Sequence, residues 1–263
     1  MFDNNCDHST RQYDHLPVHI YSSSVAMGYC AAEQLIEIIH ASIAERGMCT
    51  LIMATGNSQL PLYTALRTRT DVAWERVTVM HMDEYVGMSQ DHPASFRRYM
   101  CDQFVNHVPL RAFYGIRGDS PDVEAELRRY SDLLEQYPAD ACVLGIGENG
   151  HLAFNDPPAD FGTSKLVHVV KLDRVCRQQQ VGEGHFTTLD DVPTHAISLT
   201  VPALLSARQV LALVPEKRKA QIVLKTLTGP ISPDCPASIL RTRTHTTLFL
   251  DADSASYLPD LPE

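Results

Sequence analysis

The chain has 263 residues, 44% of them hydrophobic and 21% charged, which suits a globular protein with a sizeable core in one large α/β domain or two small ones. A net charge of −10 argues against a nucleic-acid or anionic-membrane partner, although a locally positive site could still take a small anion. No apolar run approaches the ~20 residues that a membrane span needs.

Residues 1–15 read as a loose polar lead-in without the apolar core of a signal peptide, which implies a cytoplasmic location. "VHIYSS" (18–23) predicts a first strand. The helix after it has Ser24 as its N-cap and Gly47 as its stop. "MCTLIMA" (48–54) and "RVTVMHM" (76–82) are short apolar runs of the kind buried on both faces of a sheet. They end in "TGNSQLP" and "DEYVGMSQDHP", with a helical pattern, "LPLYTALRTRT", between them. Helices are expected over 94–105 and 122–136, then a strand in "ADACVLGIG" and, counting from "MCTLIMA", a fourth in "KLVHVVKL". "HAISLTVPALLSA" joins a strand to a short helix; "QVLALVPE", "KRKAQIVLKTLTG" and "TTLFLDADSA" complete the alternation.

Strands alternating with helices, uninterrupted by a linker, predict one α/β domain over 16–263, with a mostly parallel sheet covered on both faces. Ligands of such sheets gather at the carboxyl ends of the strands. Seven cysteines, odd in number, widely spaced and without a C-x-x-C pair, predict reduced thiols rather than a disulfide framework or structural zinc.

"LGIGENGHLAFNDPP" (144–158) contains Gly145-x-Gly147-x-x-Gly150, the pattern of a dinucleotide turn. That turn needs a helix to begin within it, its N-terminus facing a pyrophosphate. Pro157 and Pro158 follow too soon for a crossover helix. The glycines instead let the backbone approach a ligand, with His151 presented beside it.

"LIMATGNSQLPLYTAL", "VTVMHMDEYVGMSQDHPASFRRYM" and "LGIGENGHLAFNDPP" resemble, in order and spacing, three motifs of the glucosamine-6-phosphate deaminases (isomerases), in a superfamily that includes the 6-phosphogluconolactonases. The likeness extends through "CPASILRTRTHTTLFLD", nearly the whole chain. It implies a modified Rossmann-like domain, no cofactor, no metal and a phosphorylated sugar as substrate. Several family members assemble, so it leaves a homo-oligomer open.

The reaction implied turns an amino-sugar phosphate into a ketose phosphate and ammonia. Its phosphate needs an anion cradle. Thr55, Gly56, Asn57 and Ser58 offer backbone N–H groups and hydroxyls at a strand-to-helix turn. By resemblance this turn is the phosphate site, and Lys219 supplies the charge. An arginine often follows the fourth strand in deaminases; here both Arg174 and Arg177 stand there, and "QQQVGEGHF" reads as a loop or lid.

Moving a proton from C2 to C1 needs one carboxylate poised as a base. Asp83 at the end of a strand fits, with Glu84 as an orienting group, whereas His81 and His92 read as packing or surface residues. Opening the ring needs a group that takes and gives a proton near neutrality, and His151 is the candidate. By resemblance Asn149 and Asp156 hold it. Many deaminases carry an acid where Asn149 stands, and glutamate is usual where Asp156 stands. Two other functions remain open: lactone hydrolysis, with His151 activating water, and a non-catalytic sugar-phosphate sensor.

Overall fold

A computed structural model describes residues 6–259. The chain opens with a hairpin, β1 (His8–Tyr13) and β2 (Leu16–Tyr21), paired antiparallel from His8↔Tyr21 to Tyr13↔Leu16. The expected loose lead-in is thus a strand from residue 8. Its polar residues gave no apolar signal, and its support is the ladder to β2, whose Leu16 and Val18 are buried. Cys6, just before it, forms a disulfide with Cys30, which corrects the expectation of uniformly reduced thiols. The pairing is spatial: the hairpin returns residue 6 to the following helix, a closeness that spacing alone does not encode. The other five cysteines are free.

That helix, α1 (Ser24–Arg46), is capped by the Ser23 hydroxyl, which accepts from the Ala26 N–H at 3.2 Å, one residue earlier than expected. It stops at Gly47, whose φ of 77° is left-handed. There follow β3 (Cys49–Met53), α2 (Leu60–Leu66), β4 (Val77–His81), β5 (Asp83–Tyr85), α3 (Phe96–Gln103), β6 (Ala112–Tyr114) and α4 (Val123–Gln136). The second half holds β7 (Ala141–Leu144), β8 (Val167–Lys171), α5 (Arg174–Gly182), β9 (His195–Leu199), α6 (Val201–Leu204), β10 (Gln209–Val214), α7 (Ala220–Thr228) and β11 (Thr246–Asp251).

Eight strands form the main sheet in the order β1-β2-β11-β10-β7-β3-β4-β6, all neighbours parallel except the β1–β2 hairpin. Alternation along the strands explains why both faces are apolar. Leu51 and Met53 of β3, with Val77 and Val79 of β4, pack on one face with residues of α1, α2 and α3. Ile52, Met80, Cys142 and Leu144 point to the other, among residues of α4, α6 and α7. Two expected members of this sheet lie elsewhere. "KLVHVVKL" and "HAISL" supply β8 and β9 of a separate three-stranded sheet, in which β9 pairs antiparallel with β8 on one side and β5 on the other. After buried Val167, β8 alternates half-buried with exposed residues, which suits a one-sided sheet rather than the centre of a doubly covered one.

From β3 the chain moves outward to β4 and β6, then returns to β7 on the other side of β3 and moves outward again to β10. The carboxyl ends of β3 and β7 therefore flank a switch point, where a crevice opens. No described helix is long and apolar enough to cross a membrane.

Candidate functional site

Four neighbouring strands, β4, β3, β7 and β10, deliver their carboxyl ends to this crevice. One cavity there is lined by Thr55, Gly56, Asn57 and Ser58 after β3, Asp83 after β4, Gly145 to Gly147 and His151 after β7, and Glu216 to Lys219 after β10, Lys217 excepted. Of the catalytic and substrate-binding candidates from the sequence, Asn149 and Asp156 do not line it; they stand behind His151.

The turn after β3 is built for close approach. Gly56 sits at φ 101° and caps a short 3-10 turn, Asn57–Gln59, which runs into α2 with Pro61 in its first turn. Tyr99 Oη donates to Gly56 O at 2.7 Å, and Tyr63 Oη donates to Ala54 O at 2.6 Å, pinning the turn from α3 and α2. Buried Gln59 donates to Ser58 Oγ at 3.0 Å. Across the cavity, β10 repeats the device. Glu216, at φ 83°, precedes a second 3-10 turn, Lys217–Lys219. A non-glycine residue in that region is strained, and the Glu216 N–H is held by both carboxylate oxygens of Asp251, at 3.1 and 3.2 Å.

Lys219 ends this turn 5% exposed, its ammonium without a hydrogen bond or ion pair to any described residue. Burial, with Arg218 adding repulsion, lowers its pKa to about 8. An unpaired cation beside free N–H groups leaves a site one anion short.

Asp83 is 6% exposed and accepts no side-chain hydrogen bond from a described residue. Burial, reinforced by neighbouring Glu84, pushes its pKa up to about 8. Glu84 points away from the cavity and is fully buried. It accepts from Ser95 Oγ at 2.7 Å and from the N–H groups of Tyr85, Phe96 and Arg97 at 3.0, 3.2 and 2.9 Å, so it anchors the start of α3. His81 is buried and accepts from the Ile116 N–H at 2.7 Å; burial lowers its pKa to about 3, which keeps it neutral in the core.

His151 lies with its ring edge across Gly147. A Cβ on Gly147 would come 2.2 Å from Cε1 and Nε2, so any other residue there would displace the ring. Gly150 turns the chain at φ 92°, and no helix follows before β8. The glycine pattern thus seats an imidazole rather than a pyrophosphate. Behind the ring, His151 Nδ1 is 3.1 Å from Asp156 Oδ1, yet the nitrogen finds no well-directed hydrogen bond. The aspartate thus approaches the ring without the alignment of a formed hydrogen bond. Burial pushes Asp156 up, but its contacts with His151, Asn149 and the Asp173 N–H outweigh that and hold its pKa below the ordinary value.

His151, Asp156 and Cys176 bring ligand atoms within 4.8 Å of one another, the one such trio among the described residues. Asp156 is already engaged by Asn149 and Asp173, and burial drives the Cys176 thiol strongly upward, which opposes a thiolate ligand.

The sequence left Arg174 and Arg177 as alternatives for the phosphate, and neither lines the cavity. Arg177 donates to Leu189 O and Val192 O, while Arg174 lines a shallower groove outside. The guanidinium that does line it is Arg218, bonded to Glu148 at 2.9 Å, Glu183 at 3.0 Å and Glu216 at 2.6 Å. Its place beside Lys219 in "EKRK" was the available signal. Gln179, Gln180, Glu183 and His185 also line the cavity. They belong to the segment expected as a loop or lid, but α5 continues through Gly182, so most of that segment is helix.

Fold and cleft together define an α/β enzyme with a polar cavity at the switch point of a parallel sheet. The profile of the family described as glucosamine-6-phosphate isomerases/6-phosphogluconolactonase matches residues 22–249. The chain belongs to that family. It is 36% identical over 227 residues to glucosamine-6-phosphate deaminase of Listeria innocua, covering 86% of this chain and 95% of the relative. It is also 36% identical over 235 residues to the Geobacillus deaminase, covering 87% and 92%. A solved monomeric glucosamine-6-phosphate deaminase superposes with a TM-score of 0.83 at 32% identity, over 91% of this chain and 98% of the other. The 6-phosphogluconolactonase of Shewanella baltica shares the fold, with a TM-score of 0.72 at 18% identity over 89% and 96%.

Proposed function

We propose that this chain is an amino-sugar-phosphate deaminase that turns glucosamine 6-phosphate, or a related hexosamine 6-phosphate, into a ketose phosphate and ammonia. The observation that carries this reading is the single cavity lined by Asp83, His151 and Lys219 together. An unpaired buried ammonium faces a turn rich in N–H groups, and a carboxylic acid with an elevated pKa shares the space with an imidazole.

In this reading the sugar phosphate binds Lys219 and the Thr55–Ser58 turn. His151 takes the proton of the anomeric hydroxyl and returns one to the ring oxygen, giving the open-chain aldehyde. Ionised Asp83 removes the C2 proton and delivers it to C1. The nitrogen at C2 becomes an imine, water adds to that carbon, and ammonia leaves as the ketone forms. Without a strong hydrogen bond to stabilise it, the Asp83 carboxylate is a stronger base than a solvated one.

Residues 16–263 work as one catalytic unit in this account. Five free cysteines, four of them buried, support a cytoplasmic working place, and the Cys6–Cys30 bridge counts against it. The test is a screen of hexosamine 6-phosphates for ammonia and ketose phosphate. Turnover of 6-phosphogluconolactone without ammonia release from any amino sugar would replace this reading with lactonase activity, and ligand-induced thermal shifts without turnover would replace it with a sensor.

A further inference from the structure

Asp173 has no role in the reading above and does not line the cavity. It is the N-cap of α5, with Oδ1 accepting from the Cys176 N–H at 2.6 Å. Its other oxygen, Oδ2, accepts from Asn149 Nδ2 at 3.0 Å, and its own N–H donates to Asp156 Oδ2 at 3.1 Å. Asn149 Nδ2 donates its second hydrogen to Asp156 Oδ1 at 2.9 Å, while Asn149 Oδ1 accepts from the His151 N–H at 3.1 Å. The direction of this amide follows from its neighbours. Two carboxylates can only accept, so the nitrogen must face them, and a backbone N–H can only donate, so the oxygen must face it.

We propose that Asp173 is a positioning residue for His151, and that Asn149 is the neutral spacer that allows Asp156 and Asp173 to sit on either side of it as a pair of carboxylates behind the imidazole. The negative charge that an acid in place of Asn149 would bring is supplied here from the N-cap of α5. A carboxylate at 149 would meet two others at hydrogen-bond distance with no proton between them. The same link ties the imidazole to α5, which carries Gln179 and Gln180 into the cavity. Other titratable groups around this pair are Cys176 on α5, Asp83 on β5, and Glu183, His185 and Lys219 across the cavity.

The proposal rests on the deaminase reading of His151, and the test separates the two. Wild type, Asp173→Asn, Asn149→Asp and the double variant are compared for ammonia release between pH 6 and 9, and for the His151 titration by NMR. Asparagine can still cap α5, but its amide nitrogen would then face the Asn149 Nδ2 donor, so a purely structural Asp173 can also change kcat. What it does not do is move the His151 titration, and that readout separates the two roles. With Asp173 in the proposed role, the same substitution has opposite signs. It lowers kcat about 10-fold in the wild-type background, where it removes the second charge. It raises kcat about 10-fold beside Asn149→Asp, where it relieves a third carboxylate. It also moves the His151 titration downward, because the imidazolium loses a negative neighbour.

An Asp173→Asn effect that is absent, or of the same sign in both backgrounds, overturns the proposal. Should Asn149→Asp fail to fold, an unmoved His151 titration in Asp173→Asn overturns it alone. If wild-type protein deaminates nothing, the functional reading falls, and the His151 titrations of the four proteins still decide the role of Asp173.

Discussion

Replacing Asp83 with Asn should abolish turnover and at the same time stabilise the fold, by an amount that grows with pH. The folded acid has a pKa of about 8 against an ordinary 3.8, so folding favours its protonated form. That contribution is fully present below pH 3.8, where both states hold the proton. It is lost as pH rises from 3.8 through about 8, because the unfolded chain gains by ionising and the folded one does not. Each pH unit in this window is worth ~1.4 kcal/mol. By pH 7 the native acid therefore costs on the order of 4 kcal/mol relative to a side chain that does not titrate. An amide keeps the shape and removes the titration. Urea denaturation of both proteins at pH 5, 6, 7 and 8 reads the difference directly. The gap should widen by ~1.4 kcal/mol per unit and flatten above pH 8. A gap constant within ~0.5 kcal/mol over this range would show that Asp83 is not desolvated, and the case for it as a strengthened base would go with it.

Three further predictions concern other parts of the molecule. Gly147→Ala should leave the protein folded but lower kcat about 100-fold, because a Cβ 2.2 Å from the imidazole displaces the ring; unchanged kinetics would show that His151 has no fixed seat. Lys219→Met should weaken binding of a hexose 6-phosphate about 100-fold by calorimetry. Since the folded pKa of Lys219 is lowered from 10.5 to about 8, its contribution to stability is present above pH 10.5 and lost as pH falls through about 8. The methionine variant should therefore gain most over wild type below pH 8, with a gap that closes toward pH 10.5. Reduction of Cys6–Cys30, a bridge spanning 24 residues that does not touch the cavity, should cost ~3 kcal/mol of stability with kcat unchanged. Equal melting curves with and without dithiothreitol would show that the bridge does not form.

The parts of the fold legible in the sequence are those written locally. β3, β4, β7 and β10 are apolar runs ended by turn residues, and each lies inside its expected stretch, β7 ending at Leu144, three residues before its stretch closes at Gly147. β1 and β5 were missed because one is polar throughout and the other is three residues long. The membership of β8 and β9 in a second sheet is a matter of tertiary pairing, which alternation alone does not specify. At the site, the residues with a motif were legible: the Thr55–Ser58 turn, Asp83 and His151 line one cavity. Arg218 and Glu183 were not, because their meaning is relational. One guanidinium gathers three carboxylates from three separate segments. Asp173 was overlooked for the same reason: it acts through an amide 24 positions away.

The seam between the two sheets bears on how this enzyme can evolve. Asp83 is the first residue of the small sheet, and Met82 alone separates it from the last residue of β4 in the large one. A reactive acid mounted on such a joint works like the tip of a lever whose long arm is β9 and β8. Insertions or repacking far out on that arm, for instance around the exposed Val169, would swing the acid, together with the His151 segment that β8 and β9 hold through Phe154 and Asn155, against the anion cradle. Descendants of this scaffold therefore have a route to new sugar geometries that alters none of the residues touching the sugar.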